Sequence, residues 1–251
     1  MAGPNRLCNF IKICAGAKHI EACWESLRAN LDDFGFDRLL FASKGGANKS
    51  NLHNLFGTYI LSSYGEAVDQ LFITNRAFVE DFTVNWLLEN IGAVSWQVNR
   101  DRYLQGNMTK SETQIHLATR EIGLVNGYSY TSTPPDTGYA AGFGLCAKTY
   151  ITQAEVDETW RLNGALIEAL LDVFLINFRR IPTARQHEIL DFETLKILEQ
   201  IYLGKTNTEI AELLGYHRRT VEQRLSEARR KLDVSNTAQL VGKLVEQAQL
   251  F

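Results

Sequence analysis

Apolar positions recur at steps of three and four along much of the chain, and the places where that rhythm breaks divide it into elements. Ile20, Cys23, Trp24, Leu27 and Leu31 share one stripe and predict a helix over residues 18–34. From Phe34 to Phe41 the composition becomes strand-like. Residues 44–56 are rich in Gly, Asn and Ser and predict a loop; a second apolar strand follows near Gly57–Ser63. Helical spacing returns from Phe72 to Leu88. Asp101 to Met108 read as a polar loop, and Lys110–Ile122 as a helix. Gly127–Ser132 and Tyr139–Lys148 read as two strands joined by Thr133-Pro134-Pro135-Asp136-Thr137-Gly138, a strong turn signal. A long helix from Gln153 to Arg179 closes the region. Helices at both ends of a mostly antiparallel run of strands predict an α/β/α sandwich.

Beyond residue 190 the pattern changes to short helices, each with its own stop signal. Leu195, Ile197, Leu198, Ile201 and Tyr202 form a supporting helix closed by Gly204. Thr206 is placed to cap the next helix, and Glu209 three residues on can return the bond, a capping box. Ile210, Ala211, Leu213 and Leu214 follow at helical spacing, and Gly215 can take the left-handed conformation that turns the chain. Val221, Leu225, Ala228 and Leu232 then share one face of a further helix, whose opposite face carries Arg219, Glu222, Gln223, Ser226 and Arg230. Ser235 is placed to cap a last helix bearing Leu240, Val241, Leu244 and Val245. A helix buried on one side and polar on the other fits a DNA major groove. Taken alone, the same pattern equally describes a helical hairpin with a solvated basic face. The fold class predicted is α+β: a sandwich with an antiparallel sheet, then a small all-α four-helix helix-turn-helix domain.

The chain's 251 residues suffice for one domain over 1–178, a linker over 179–189 around Ile181-Pro182-Thr183-Ala184, and a second domain over 190–251. The net charge of −3 carries no nucleic-acid signature by itself. Charge is local: from His217 to Lys231, six basic residues stand against two acidic ones. A local basic strip is what phosphate contact requires. Cys8, Cys14, Cys23 and Cys146 form no CxxC pair and no zinc spacing, so they read as reduced thiols of a cytoplasmic protein. No long apolar run marks a signal peptide or membrane span. His19, His53, His116, His187 and His217 share no spacing with a Ser or Cys nucleophile, and neither a phosphate-binding loop nor a metal cluster is evident. Neither an enzyme nor a cofactor is expected.

Leu190, Gly204, Thr206, Glu209-Ile210-Ala211, Thr220-Val221, Leu225 and Lys231-Leu232-Asp233-Val234 together resemble the GerE-type DNA-binding domain of LuxR-type transcription regulators. Thr194 departs from the glutamate usual there and weakens one contact between helices. The element order upstream resembles the autoinducer-binding domain of the same family. Tyr64 stands at the family's first tyrosine, Asp81 at its aspartate, Trp96 at its second tryptophan, and Gly123 with Gly127 at its paired glycines. The departures are Gly65 and Phe82 for prolines, Val68 for tryptophan, Phe72 for tyrosine, and Gly144 where a small hydroxyl residue is usual.

The resemblance implies a quorum-sensing transcription regulator that binds an acyl-homoserine lactone, or a related amphipathic signal, through Tyr64, Val68, Phe72, Asp81, Trp96, Gly127 and Gly144. Asp81 would accept an amide N–H, Tyr64 donate to an amide carbonyl, and Trp96 pack flat against a ring. Read from the residues alone, Asp81 also fits a helix-surface carboxylate, and Tyr64 and Trp96 fit ordinary core aromatics. Val68 and Phe72 offer no side-chain hydrogen bond, which makes the ring end of the pocket less polar and roomier. For DNA, Glu222, Gln223 and Ser226 stand where base edges are read, and Arg218, Arg219, Arg224 and Arg230 suit phosphates. The partners implied are promoter DNA, the small-molecule signal, a second copy of the chain and RNA polymerase, with no membrane. Helix 153–179 and the last helix are the candidate surfaces for a homodimer. The alternatives are a ligand-independent regulator of the same fold, or one sensing a non-lactone signal.

Overall fold

Strand β5 organises the first part of the chain, because its alternate residues serve two different faces. The computed structural model describes residues 3–45, 58–71, 77–135, 139–181, 190, 192–232 and 234–242. Its strands are β1 (Phe36–Gly45), β2 (Thr58–Ser62), β3 (Gly92–Ser95), β4 (Gly127–Thr131) and β5 (Tyr139–Ala147), in the order β2-β1-β5-β4-β3. The pairs β1–β5, β4–β5 and β3–β4 are antiparallel. On one face, Ala141, Phe143, Leu145 and Ala147 enter the main core together with Leu39 and Phe41 of β1. Ala140, Gly142, Gly144 and Cys146 alternate to the other face.

The core face is closed by α1 (Gly3–Gly16), α2 (Ile20–Asp32) and α7 (Gln153–Arg180). Phe10, Leu27, Leu31, Ile167, Leu170 and Phe174 are all fully buried there. Phe174 is the hub: its ring centroid lies 5.1 Å from that of Phe41, 5.7 Å from Phe143 and 5.8 Å from Trp24. Burying one side chain of this size contributes about 1.5–3 kcal/mol. The opposite face is covered by short pieces: α3 (Glu66–Asp69), a 3-10 turn at Ala77–Val79, α4 (Phe82–Leu87), α5 (Gln97–Leu104) and α6 (Lys110–Glu121). The result is the predicted sandwich.

Several local expectations need correction. The spacing from Phe72 to Leu88 does not form one helix: the 3-10 turn and α4 meet at Asp81, whose carboxylate caps α4. Half of the expected loop Asp101–Met108 is helical, because α5 runs to Leu104 without burying any of its residues. It is held instead by polar pairs, Gln97–Asp101 at 2.7 Å and Arg102–Glu112 at 2.6 Å. Arg179, expected both to end the long helix and to open the linker, lies within α7, which runs one residue further to Arg180. The strand β3 and the helix α1 were not anticipated. Loop residues 46–56, turn residues 136–138 and linker residues 182–189 lie outside the described residues.

Contacts divide the chain into two compact units; the second takes in Thr58 as well as the described residues after Ile181. The second holds α8 (Phe192–Tyr202), α9 (Asn207–Leu214), α10 (Arg218–Lys231) and a helical segment over residues 237–242. Its core is Leu190, Ile197, Leu198, Ile210, Ala211, Val221, Leu225, Ala228, Leu232 and Leu240. The capping box forms: Thr206 N–H donates to Glu209 at 2.7 Å, and Glu209 N–H to the Thr206 hydroxyl at 3.4 Å. Gly215 takes the left-handed conformation, with φ of 70°. The cap of the last helix is displaced by one residue. Asn236 Oδ1 accepts from Gln239 N–H at 2.8 Å, while Ser235 donates its hydroxyl to the Gln239 side chain at 2.7 Å.

Candidate functional site

On the sheet face away from the main core, Tyr64, Val68 and Trp96 pack with Ile122, Leu124 and Cys146 as a separate cluster. The sheet makes room for them by omitting side chains. A Cβ at Gly144 would stand 2.5 Å from the Tyr64 hydroxyl, one at Gly127 2.9 Å from the Trp96 ring, and one at Gly142 2.9 Å from Leu87. The expected Tyr64, Val68, Trp96, Gly127 and Gly144 are thus brought together; Phe72 lies outside the described residues.

Local structure delivers each of these groups. Tyr64 follows β2 through a polar turn: its N–H donates to the Ser62 hydroxyl at 3.2 Å, and that hydroxyl donates to Asp69 at 2.6 Å. Gly65 sits at φ +96°, a conformation that proline, fixed near −65°, does not reach. Its place in a position where the family has proline therefore belongs to a different turn. Burial pushes the Tyr64 phenol well above its ordinary range, with the Cys146 thiol and the Asp81 carboxylate adding to the rise.

Asp81 combines two roles. Its Oδ1 accepts from Thr83 N–H at 2.8 Å, the Thr83 hydroxyl at 2.6 Å and Val84 N–H at 3.1 Å. All these bonds fall on one oxygen, so Oδ2 retains its lone pairs for another donor. Burial raises the carboxyl above its usual range, against the hydrogen bonds from Thr83 and Val84 and the nearby His116. His116 is itself lowered, first by burial and then by Arg120, while Asp81 pulls it back up. Phe82 lies under the Arg102 guanidinium at 4.4 Å, and Arg102 pairs with Glu112 of α6. That stack ties the start of α4 to α5 and α6.

Trp96 is pinned at both ends. Its indole Nε1 donates to the Ser129 hydroxyl at 3.0 Å, and its backbone N–H to the Gly127 carbonyl at 3.0 Å. Ser129 is register partner to Gly144, so a buried hydroxyl stands beside the glycine that lacks one. Gln153, in the first turn of α7 and 3% exposed, holds Gly127 from the other side of the sheet. Neither Ser129 nor Gln153 was anticipated. Alternation with Gly127 along β4 was the available signal for Ser129; Gln153 had none. Among the described residues, no group of three or more His, Cys, Asp or Glu gathers to hold a metal.

In the second unit, α10 exposes Arg218, Arg219, Glu222, Gln223, Ser226, Glu227, Arg230 and Lys231. Its buried side is Val221, Leu225 and Ala228. The exposed face is already internally paired: Arg218 donates to Glu222 at 2.8 Å and Gln223 to Glu227 at 3.0 Å. Arg224, expected with the phosphate contacts, is half-buried instead. It reaches the buried Thr194 hydroxyl at 3.4 Å and lies 6.0 Å over the Tyr216 ring, whose hydroxyl bonds Glu193. Arg229 likewise turns to Thr237 at 3.1 Å. The outward cations are therefore Arg218, Arg219, Arg230 and Lys231, a smaller excess than the sequence count suggests. No helix among the described residues is long and apolar enough to cross a membrane.

The sequence profile of the autoinducer binding domain matches residues 19–175, and that of the bacterial regulatory proteins of the luxR family matches residues 194–244. The chain is 20% identical over 243 residues to the transcriptional activator protein LuxR of Aliivibrio fischeri, covering 96% of this chain and 91% of that protein. It is 22% identical over 202 residues to the transcriptional activator protein CarR of Pectobacterium carotovorum, covering 75% and 78% respectively. In fold it is similar to the LuxR-family transcription factor CepR2 of Burkholderia cenocepacia, with a TM-score of 0.53 at 12% identity over 71% of this chain and 99% of that one.

Proposed function

The chain belongs to the LuxR family of bacterial regulators, in which an autoinducer-binding domain is joined to a DNA-binding domain, and from that premise we propose a specific signal and mode of action. The signal is an acyl-homoserine lactone or a related amphipathic molecule carrying an amide. It enters the face lined by Tyr64, Val68, Asp81, Trp96, Gly127 and Gly144. The loaded protein acts in the cytoplasm and binds promoter DNA as a homodimer, with Glu222, Gln223 and Ser226 turned to base edges and Arg218, Arg219 and Arg230 to phosphates.

The observation that carries the reading is the Asp81 carboxylate. It is desolvated, it sits beside the Tyr64 phenol, and it holds one oxygen in a helix cap while the other stays open. The carboxylate is half-buried, so its open oxygen would be closed off from water by an occupant; a ligand N–H satisfies it there, whereas an enclosed and unpaired oxygen would cost about 1–3 kcal/mol. Asp81→Asn tests this. Asparagine keeps the capping oxygen and replaces the open one by an NH2 that opposes a ligand N–H. Calorimetric titration with a series of N-acyl homoserine lactones should show binding to the wild type, weakened about tenfold or more in the variant. Equal affinity in both proteins would remove Asp81 from the site.

One observation favours the alternative of a ligand-independent regulator. The Trp96 indole N–H is already satisfied by Ser129, and the Tyr64 hydroxyl already fills the space over Gly144. On that reading, side chains close the cavity themselves, and soluble yield is the same with or without added lactone.

A further inference from the structure

Gln153 does more than begin α7. Its side-chain Nε2 shares its two N–H groups among the Gly127 carbonyl at 3.1 Å, the Ser95 hydroxyl at 3.0 Å and Asp157 at 2.9 Å. Its Oε1 accepts from Gly127 N–H at 2.9 Å. Both backbone groups of Gly127 are thus held by one buried amide. The Gly127 carbonyl also accepts the Trp96 N–H, and the Trp96 ring rests where the Gly127 side chain would be. Ser95, the residue before Trp96, is fixed in turn by donating to Asp157 at 2.8 Å.

We propose that Gln153 is a positioning residue for the signal site: through Gly127 and Ser95 it sets the place of the Trp96 indole across the sheet. The proposal rests on the reading that Trp96 lines that site. Its physical basis is that a fully hydrogen-bonded, buried polar group admits few arrangements. Any shift of the first turn of α7 must either break these bonds or carry Gly127 and Trp96 with it. The site is therefore coupled to α7, which also carries the core residues Ile167, Leu170 and Phe174. No contact between Gln153 and a ligand is involved.

The test uses the full chain labelled with 5-fluorotryptophan, without ligand, the Trp96 resonance being assigned by Trp96→Phe. Gln153→Glu keeps the length and one acceptor but removes the donors; Gln153→Met removes both. The Trp96 resonance should move in both variants, further in Gln153→Met, while that of Trp24 in the main core stays in place. Arg161→Ala, which breaks only the exposed pair with Glu158 on the same helix, should move neither. If Gln153→Met fails to fold, Gln153→Glu decides alone. A Trp96 resonance unmoved in a folded variant, or a Trp24 shift as large, overturns the proposal. With N-octanoyl homoserine lactone as probe, Kd should rise about tenfold in Gln153→Met. Absence of binding to the wild type would count against the proposed signal and leave the ligand-free comparison decisive for Gln153.

Discussion

Gly127 and Gly144 are each required by a different neighbour, and the difference predicts unequal costs. At Gly127 an added Cβ meets the Trp96 ring at 2.9 Å and also crowds the Leu145 backbone carbonyl, which cannot turn aside. Gly127→Ala should therefore cost about 1–3 kcal/mol in urea unfolding, as overpacking does. At Gly144 the obstacle is only the tip of Tyr64. Gly144→Ala should cost less, and Tyr64→Phe in the same chain should recover most of the loss; additive effects in that cycle would show that the two groups do not touch. Charge at Asp81 adds a pH dependence with a definite sign. Its folded carboxyl is raised by burial, so the folded state favours the protonated form, and stability falls as pH rises through that raised value. Asp81→Asn removes the ionisation, so its melting temperature relative to wild type should climb with pH above the ordinary aspartate range. His116 works in the opposite direction. Its folded value is lowered, so its contribution is present above its ordinary value of 6.5 and lost as the solution is acidified past the lowered one. His116→Gln should flatten that acid limb.

Elements defined by a local signal were legible in the chain, and those defined by a partner were not. The α9 helix could be read because Thr206, Glu209 and Gly215 carry start and stop within one short stretch. Removing the cap by Thr206→Ala should cost about 1 kcal/mol. Leu225→Ala, in the middle of the buried stripe of α10, should cost about 2–5 kcal/mol; both are measured on the unfolding of the second unit. By contrast, the four residues of β3 are small and half-buried throughout. They become a strand only through pairing with β4 and through Ser95 reaching Asp157, a group far along the chain. The α5 helix hides for a related reason: it buries nothing, so no stripe exists to read. Phe72 to Leu88 misled because apolar residues at helical spacing outvoted one aspartate. Asp81 starts α4 by capping it, and a cap in the middle of a periodic run is a break rather than a surface carboxylate. In the proposed site, Tyr64, Val68 and Trp96 pack together as one cluster; of the groups that hold Trp96, Ser129 could be read from its alternation with Gly127, while Gln153 could not, because it acts from the opposite face of the sheet.

For the whole molecule, a net charge of −3 has to be reconciled with a surface proposed to bind DNA. Coulomb attraction to phosphates is screened beyond about 8–10 Å at ordinary salt, so distant carboxylates matter little and the outward cations of α10 dominate. Those are Arg218, Arg219, Arg230 and Lys231, since Arg224 and Arg229 are turned to Thr194 and Thr237. Binding must also open the Arg218–Glu222 pair, which frees Glu222 to accept from a base while Arg218 moves to a phosphate. Each phosphate neutralised contributes about −0.9 to the slope of log affinity against log salt. Arg219→Ala should then flatten the slope by about one unit for each recognition helix engaged, equally on promoter and random DNA. Glu222→Ala should leave the slope nearly unchanged and relax preference at one base step by about 1–3 kcal/mol. Arg224→Ala separates the inward from the outward cations: it should lower the melting temperature of the second unit through the lost Thr194 and Tyr216 contacts, with little change in slope. If Arg224→Ala flattened the salt dependence as much as Arg219→Ala, the proposed DNA-facing surface of α10 would have to be rotated about the helix axis.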